Sequence, residues 1–475
     1  EINLVREMGR ERAIMYKNAP HIVIPAPMML PVFKKGTYGY LASSIGLYIY
    51  DWLAGVVRSE RRKMLSKRET TQREPALKTD ALKGSGYYFE YRTDDARLTL
   101  DVMKTAAGQG AHVFNYTEVT DFLYDDGKVV GVKVRDKVED HHLEVKATFV
   151  VNAGGPWVDR IRELDDSLKG KRLFLTKGVH LVVDYKKLPV KQAIYFDTPD
   201  GRMIFVIPRN NITYIGTTDT AYDESIDSPQ TTKGDRDYLL NAVNAMFPPF
   251  QLQPQDVQSN WAGLRPLIYE EGKGPSELSR KDEMIISHTG LITIAGGKLT
   301  GFRKMAEKVV DLVISNIKRD NNRMFGRCVT DQITISGGEH DNYPSYGEWK
   351  KVMIEKGRER GVSSPLIHEW IDTYGTNTMK VYQELDAIAV NTDESFQEKL
   401  LRAQIAYSIK AEMTMNTLDF LKLRTGWTYF NINKAKKTFE TVNEIMATIL
   451  NWDNQEKERQ YKIVLEELER IQIIQ

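Results

Sequence analysis

The stretch Phe149-Val150-Val151-Asn152-Ala153-Gly154-Gly155-Pro156-Trp157 decides the fold class. Its front half is a short apolar run of the kind that forms a buried strand, and its back half is a string of small residues. Glycines at the carboxyl end of a strand let a ligand approach the backbone, and in open α/β sheets dinucleotides lie along that edge. The competing reading is a tight strand-to-helix turn with Pro156 at the helix start. For this stretch alone the plain turn stands slightly ahead. A second stretch repeats the logic. Ile292-Thr293-Ile294-Ala295-Gly296-Gly297-Lys298-Leu299-Thr300 runs from a strand through paired glycines towards an apolar-striped helix, Phe302–Ile317. A helix N-terminus there offers unpaired N–H groups and partial positive charge to an anionic or electron-rich ligand. It is not a P-loop, because Ile292 stands where that motif has its first glycine. Lys298 by itself is an ordinary surface lysine by default. Two such edges in one chain favour a dinucleotide site more than either does singly.

Working outward, apolar residues at helical spacing over residues 1–19 (Ile2, Val5, Met8, Met15) are stopped by Pro20. A proline-punctuated extended stretch follows, and Gly39–Val57 reads as a second helix. Ser66 and Glu69 have capping-box spacing, which predicts a short helix. Gly84–Tyr91 alternates like a strand. Asp94 caps a helix through Leu98, Val102, Met103 and Ala106 that Gly108 and Gly110 end. Strands are predicted at Ala111–Phe114, Thr117–Tyr124, Val129–Val134 and Leu143–Val151, with more across 173–220. A helix near 235–246 and strands Met284–Ser287 and Leu291–Ala295 complete the α/β body. Beyond about residue 330 strand signals vanish, and 345–475 reads as successive amphipathic helices. The boundary falls in the polar stretch Arg327–Tyr343.

The chain has 475 residues, enough for two or three domains. Lys plus Arg number 66 against 65 Asp plus Glu, a net charge of +1. That balance argues against a general nucleic-acid binder. The single cysteine, Cys328, excludes an internal disulfide framework and a Cys-rich metal or iron–sulfur site. It fits a reducing compartment. The apolar runs Ile22–Phe33, broken by Pro25, Pro27 and Pro31, and Ile45–Val57, containing Asp51, are too short to span a bilayer. No signal-peptide pattern is seen. The expected class is a cytoplasmic enzyme, soluble or peripherally bound, with no metal and no nucleic-acid partner.

Arg265 sits in the otherwise apolar Trp261-Ala262-Gly263-Leu264-Arg265-Pro266-Leu267. Desolvating it is costly unless it meets a carboxylate or a phosphate, and a buried ion pair is as good a reading as a ligand. Arg280 lies in a more polar loop, where solvation is the default. His180 leads into a strand, where a lone histidine is more often a hydrogen-bonded core residue than a catalyst. The basic cluster from Arg58 to Arg68 reads as a solvated face or, alternatively, a contact with anionic lipid.

Seven stretches in order carry a resemblance: Gly9-Arg10-Glu11-Arg12-Ala13, Thr93-Asp94-Asp95-Ala96-Arg97-Leu98, Asn152–Trp157, Lys177-Gly178-Val179-His180, Gly216-Thr217-Thr218-Asp219, Gly263–Leu267 and Gly296–Thr300. With Arg402–Arg424 in the helical tail, the chain resembles the FAD-dependent glycerol-3-phosphate dehydrogenases. The resemblance implies a mixed α/β fold. A Rossmann-like FAD domain would comprise 1–20, 94–165 and 285–325. An inserted antiparallel-sheet substrate domain would comprise 21–93 and 166–284, and an all-helical C-terminal domain 331–475. It implies oxidation of sn-glycerol 3-phosphate to dihydroxyacetone phosphate, electrons passing from FAD to membrane quinone, and a possible homodimer. By similarity, Arg265 and Arg280 clamp the substrate phosphate and His180 positions or accepts the hydroxyl proton. Lys298 would lie against flavin and substrate. Ala153, Gly154, Trp157, Gly296, Gly297, Leu299 and Thr300 would contact the cofactor, and Val119 would meet its adenosine part through the backbone. The family's opening strand, Gly-x-Gly-x-x-Gly turn and helix, and its His-Gly-Gly-Leu-Arg-Tyr stretch, have no counterpart here, so upstream residues are expected to supply them. Two rival readings remain: a related oxidase that passes electrons to oxygen, and a non-catalytic phosphate-ligand binding protein.

Overall fold

The computed structural model describes residues 2–34, 61–269, 282–321, 324–388, 394–472 and 474. The predicted helix Gly39–Val57 lies outside these residues. Helix α1 (Ile2–Asn18) leads into β1 (Val23–Phe33), so the proline-punctuated stretch is a strand. Strand β2 (Lys63–Ser66) runs into α2 (Lys67–Arg73), where Ser66 and Glu69 form the expected capping box. Next come β3 (Leu82–Thr93) and α3 (Asp95–Gly108), the latter capped by Asp94, whose Oδ1 accepts from the Arg97 N–H at 3.2 Å. Strands β4 (Thr117–Asp125), β5 (Lys128–Asp136) and β6 (His142–Lys146) form an antiparallel sheet of their own.

Two strand expectations are corrected here. Ala111–Phe114 is irregular: the Ala111 N–H turns back to the Ala106 carbonyl of the helix end, and Phe114 is 72 % exposed. Leu143–Val151 is not one strand but two, β6 and β7 (Val151–Asn152), because the chain changes sheets between them.

Helix α4 (Val158–Leu164) follows β7, and then β8 (Leu173–Asp184), β9 (Ala193–Asp197), β10 (Met203–Arg209), β11 (Ile212–Gly216) and β12 (Thr220–Ala221) build the large sheet. Its order is β12-β8-β11-β10-β9-β1-β3-β2, and β13 (Val257–Ile268) pairs antiparallel with β8. Helix α5 (Lys233–Met246), with a Thr232–Asp235 capping box, covers one face. Val179, Leu181 and Val183 of β8 alternate onto that face and pack with Leu239, Leu240 and Val243 of the helix. The residues between them in β8, His180 included, face the opposite side. Strands β14 (Asp282–Ile286) and β15 (Ile292–Gly296) make a three-stranded sheet with β7, and α6 (Phe302–Asn321) follows.

After an irregular stretch, 324–345, the described chain is mainly helical: α7 (Tyr346–Glu359), α8 (Ser364–Tyr374), α9 (Thr378–Asp386), α10 (Phe396–Glu412), α11 (Trp427–Phe430), α12 (Ile432–Leu450) and α13 (Asn454–Arg470). It docks through buried charge. The Arg97 guanidinium donates Nη1 and Nη2 to the two Glu412 oxygens at 2.9 and 2.7 Å. Lys104 Nζ donates to Asp101 Oδ1 at 3.0 Å and to the Tyr407 hydroxyl at 2.8 Å. Burial alone would raise the Glu412 and Asp101 pKa values, but Arg97 overrides it and holds both carboxyls below their ordinary range. Arg97→Met strands a buried carboxylate and is expected to cost about 3–5 kcal/mol, whereas Arg97→Met with Glu412→Leu recovers most of it. Thermal melting of the two variants checks this. The pKa values are lowered on folding, so this stabilisation is complete above the ordinary carboxylate range. It is lost as pH falls below about 4.

Candidate active site

The two glycine turns, about 140 residues apart in the chain, lie side by side. Strands β7 and β15 pair in parallel, Val151 opposite Ile292 and Asn152 opposite Thr293. Both turns therefore leave from the carboxyl ends of neighbouring parallel strands, each into a single helical turn (Gly155–Trp157 and Leu299–Gly301) that starts α4 or α6. Asn152 braces the junction. Its side-chain oxygen accepts the Gly154 N–H at 3.1 Å, and its Nδ2 donates to the Val158 carbonyl at 3.0 Å. Gly296 and Gly297 have φ of 76° and 80°, a conformation that side chains disfavour, and this keeps backbone exposed at the mouth of α6. Parallel strand ends, left-handed glycines and free helix-start N–H groups fit the FAD that the fold implies.

Ala153, Gly154 and Trp157 belong to the first turn, and Gly296, Gly297, Lys298, Leu299 and Thr300 to the second. Lys298 is exposed at the N-cap of the second turn. The Trp157 indole N–H donates to Asp227 at 2.7 Å, and Thr300 Oγ1 lies 3.6 Å from Met8 Sδ. Val119 is on β4, in a different sheet. That sheet reaches the first turn's surroundings through a cluster of Phe122, Val150, Ile161 and Leu291.

The second half of the site is the α5-distal face of the large sheet. His180 on β8 opposes Trp261 on β13, and Gly178 opposes Gly263, so His180, Trp261 and Arg265 share one face by strict alternation. Strand β13 meets the glycine turns at its far end, where Ile268 packs with Val158 and Ala295. Room for the two polar side chains is made by glycine. A Cβ on Gly178 would lie 2.5 Å from Arg265 Nη2, and one on Gly216 would lie 2.6 Å from His180 Nε2.

Arg265 Nη1 donates to the Thr218 carbonyl at 3.1 Å and to Asp219 Oδ1 at 3.3 Å, while Nη2 donates to Thr217 Oγ1 at 3.1 Å. The ion pair anticipated as its structural role thus exists, and the Arg265 side chain is 29 % exposed. His180 has no hydrogen bond to its Nδ1, which is buried. Burial, and then the Arg265 charge, push its pKa down to about 4, so the ring is neutral at pH 7. Arg280 lies outside the described residues. Asn152, Gly178, Gly216 and Trp261 had no role assigned from sequence. The alternation Trp261, Gly263, Arg265 opposite His180, Gly178, Thr176 is the signal that would have found two of them, Gly178 and Trp261.

Paired strand–glycine–helix turns joined through β13 to a sheet face carrying a cation and a neutral imidazole suit a flavin-dependent oxidoreductase. Residues 1–303 match the family model for FAD dependent oxidoreductases, and residues 328–457 match that for the C-terminal domain of alpha-glycerophosphate oxidase. The aerobic glycerol-3-phosphate dehydrogenase of Bacillus subtilis is 48% identical over 97% of this chain and 83% of its own length. That of Staphylococcus haemolyticus is 46% identical over 99% and 85%. The structure of the Bacillus halodurans glycerol-3-phosphate dehydrogenase complexed with FAD superposes with a TM-score of 0.85 at 41% identity, covering 100% of this chain and 87% of that one. The chain belongs to the FAD-dependent glycerol-3-phosphate dehydrogenase family.

Proposed function

We infer that this protein oxidises sn-glycerol 3-phosphate to dihydroxyacetone phosphate and passes the electrons to a quinone. The observation that carries the reading is the single sheet face on which Arg265 and His180 stand, joined through β13 to the paired glycine turns. Arg265, its fork already aligned by Thr217, Thr218 and Asp219, receives the substrate phosphate with charge-assisted bonds. Arg280 is the second phosphate ligand by family resemblance. The neutral His180 takes the hydroxyl proton at Nε2, the ring nitrogen left to the site because Nδ1 is enclosed. The carbinol C–H leaves as hydride, and the C–O bond becomes a carbonyl. Bound FAD supplies the hydride acceptor and stores the two electrons. Gly296, Gly297, Leu299 and Thr300 would hold it at the start of α6, with the Lys298 ammonium beside it. Ala153, Gly154 and Trp157 would hold it at the neighbouring turn, and the Val119 backbone would meet its adenosine part. Residues 1–20, 94–165 and 285–325 form the FAD domain, and 21–93 with 166–284 the substrate domain.

Among the described residues no helix is long and apolar enough to cross a membrane. Arg61, Lys63, Lys67 and Arg68 are exposed on and beside α2. They suit a peripheral contact of a cytoplasmic enzyme with anionic lipid, where quinone is reached. The C-terminal model takes its description from an oxidase, so oxygen is the rival acceptor to be separated. Substrate turnover by the holoenzyme should be absent under argon, be restored by a soluble quinone and not be restored by air. Peroxide formed in stoichiometric yield in air would establish the oxidase instead.

A further inference from the structure

On the His180 face, aromatic rings from two distant parts of the chain meet. The Trp261 indole lies parallel to the His180 imidazole, centroids 4.7 Å apart and planes 11° apart. The same indole meets Tyr429 and Phe430 of α11 at 5.4 and 5.5 Å, so the helical C-terminal part reaches the catalytic face. Tyr214 of β11 closes the group, 6.4 Å from His180 and 6.3 Å from Phe430. Helix α11 is pinned there. Ser259 Oγ donates to the Tyr429 carbonyl at 2.6 Å, and the Arg209 guanidinium lies 3.8 Å over the Phe430 ring while donating to Asp94 at 2.8 Å. Catalytic histidines are commonly oriented by a carboxylate or carbonyl on the second nitrogen. His180 has no such partner, its buried Nδ1 being unpaired. Ring packing is what remains to fix its orientation.

We propose that Trp261 is a positioning residue for the reaction, pressed against His180 by Tyr429 and Phe430, so that the C-terminal helical part sets the orientation and dryness of the imidazole. The proposal rests on the reading of His180 as proton acceptor. The charged and titratable groups facing the ring are Arg265 on β13, with Asp219 paired to it, and Tyr214 on β11. On β8 itself Lys177 points to the other face and pairs with Asp235 at 2.8 Å. Two effects of the indole oppose each other. Its π-face favours imidazolium, while its bulk excludes the water that would favour imidazolium more. Burial depresses this ring more than the Arg265 charge does, and removal of the indole is therefore expected to raise its basicity.

The test compares holoenzymes of Trp261→Ala, Trp261→Phe, Phe430→Ala and His180→Asn, with flavin absorbance and melting as fold controls. In the parent enzyme kcat/KM, corrected for the second ionisation of the substrate phosphate at about pH 6, should stay level down to pH 5. In Trp261→Ala it should fall below about pH 6, towards the ordinary histidine range. kcat should drop ~10- to 100-fold with little change in KM, the scale of a misplaced catalytic group. Trp261→Phe should recover most of the rate, and Phe430→Ala should reproduce the pH shift in smaller degree. Should Trp261→Ala not fold, the Phe430→Ala profile decides alone. Parental kcat and pH profile in the folded alanine variants, with His180→Asn inactive, overturn the proposal. Full activity in His180→Asn overturns the proton-acceptor reading instead.

Discussion

Arg265→Ala should lower kcat/KM for glycerol 3-phosphate by roughly 10²- to 10⁴-fold, mostly through KM, while the flavin spectrum stays intact. A charge-assisted hydrogen bond contributes about 1.5–3 kcal/mol, and the planar fork can give a phosphate two of them. The guanidinium needs little reorganisation to do so, because three partners already hold it in place. Removing it also leaves the Asp219 carboxylate nearer to dominating the local field, which repels a dianion. Arg265→Lys keeps the charge but loses the fork and should fall between the two. Slow turnover of glycerol itself, which has no phosphate, should be spared. Steady-state kinetics with both substrates check the assignment, and equal losses for both would show that Arg265 serves structure alone.

His180→Asn should reduce kcat by about 10²- to 10⁴-fold, the usual range for losing a positioned proton acceptor. The pH dependence gives a finer signature. The free-enzyme pKa of about 4 means protonation of His180 itself costs activity only as pH falls through that value, since the neutral ring is the active form. Arg265 contributes to this depression, and a phosphate bound on Arg265 offsets its charge. The acid limb of kcat, which reports the substrate complex, should therefore lie at higher pH than that of kcat/KM once the latter is corrected for the substrate phosphate's own ionisation at about pH 6. Coincident limbs would separate His180 from the phosphate site.

These two residues show how far the sequence could be read. Each strand–glycine–helix turn was visible from its apolar run and small residues, because that signal is local. Their adjacency was not, since parallel pairing of Val151 with Ile292 joins segments that no local pattern connects. His180 and Arg265 each had an unremarkable structural reading. What selects the functional one is the β8–β13 register, which puts them on one face with Gly178 and Gly216 making room. The break inside Leu143–Val151 was hidden because β-propensity does not record a change of sheet. The C-terminal helices were legible from their periodicity. Their docking was not, because Glu412 ends a helix where a charge usually meets water, yet here it is buried against Arg97.

The central claim is tested most directly by anaerobic titration of the purified holoenzyme with sn-glycerol 3-phosphate, following flavin absorbance. Stoichiometric bleaching by this substrate, far faster than the slow bleaching from equal glycerol and with dihydroxyacetone phosphate recovered, is the predicted result. A flavin that stays oxidised while the substrate demonstrably binds would contradict it.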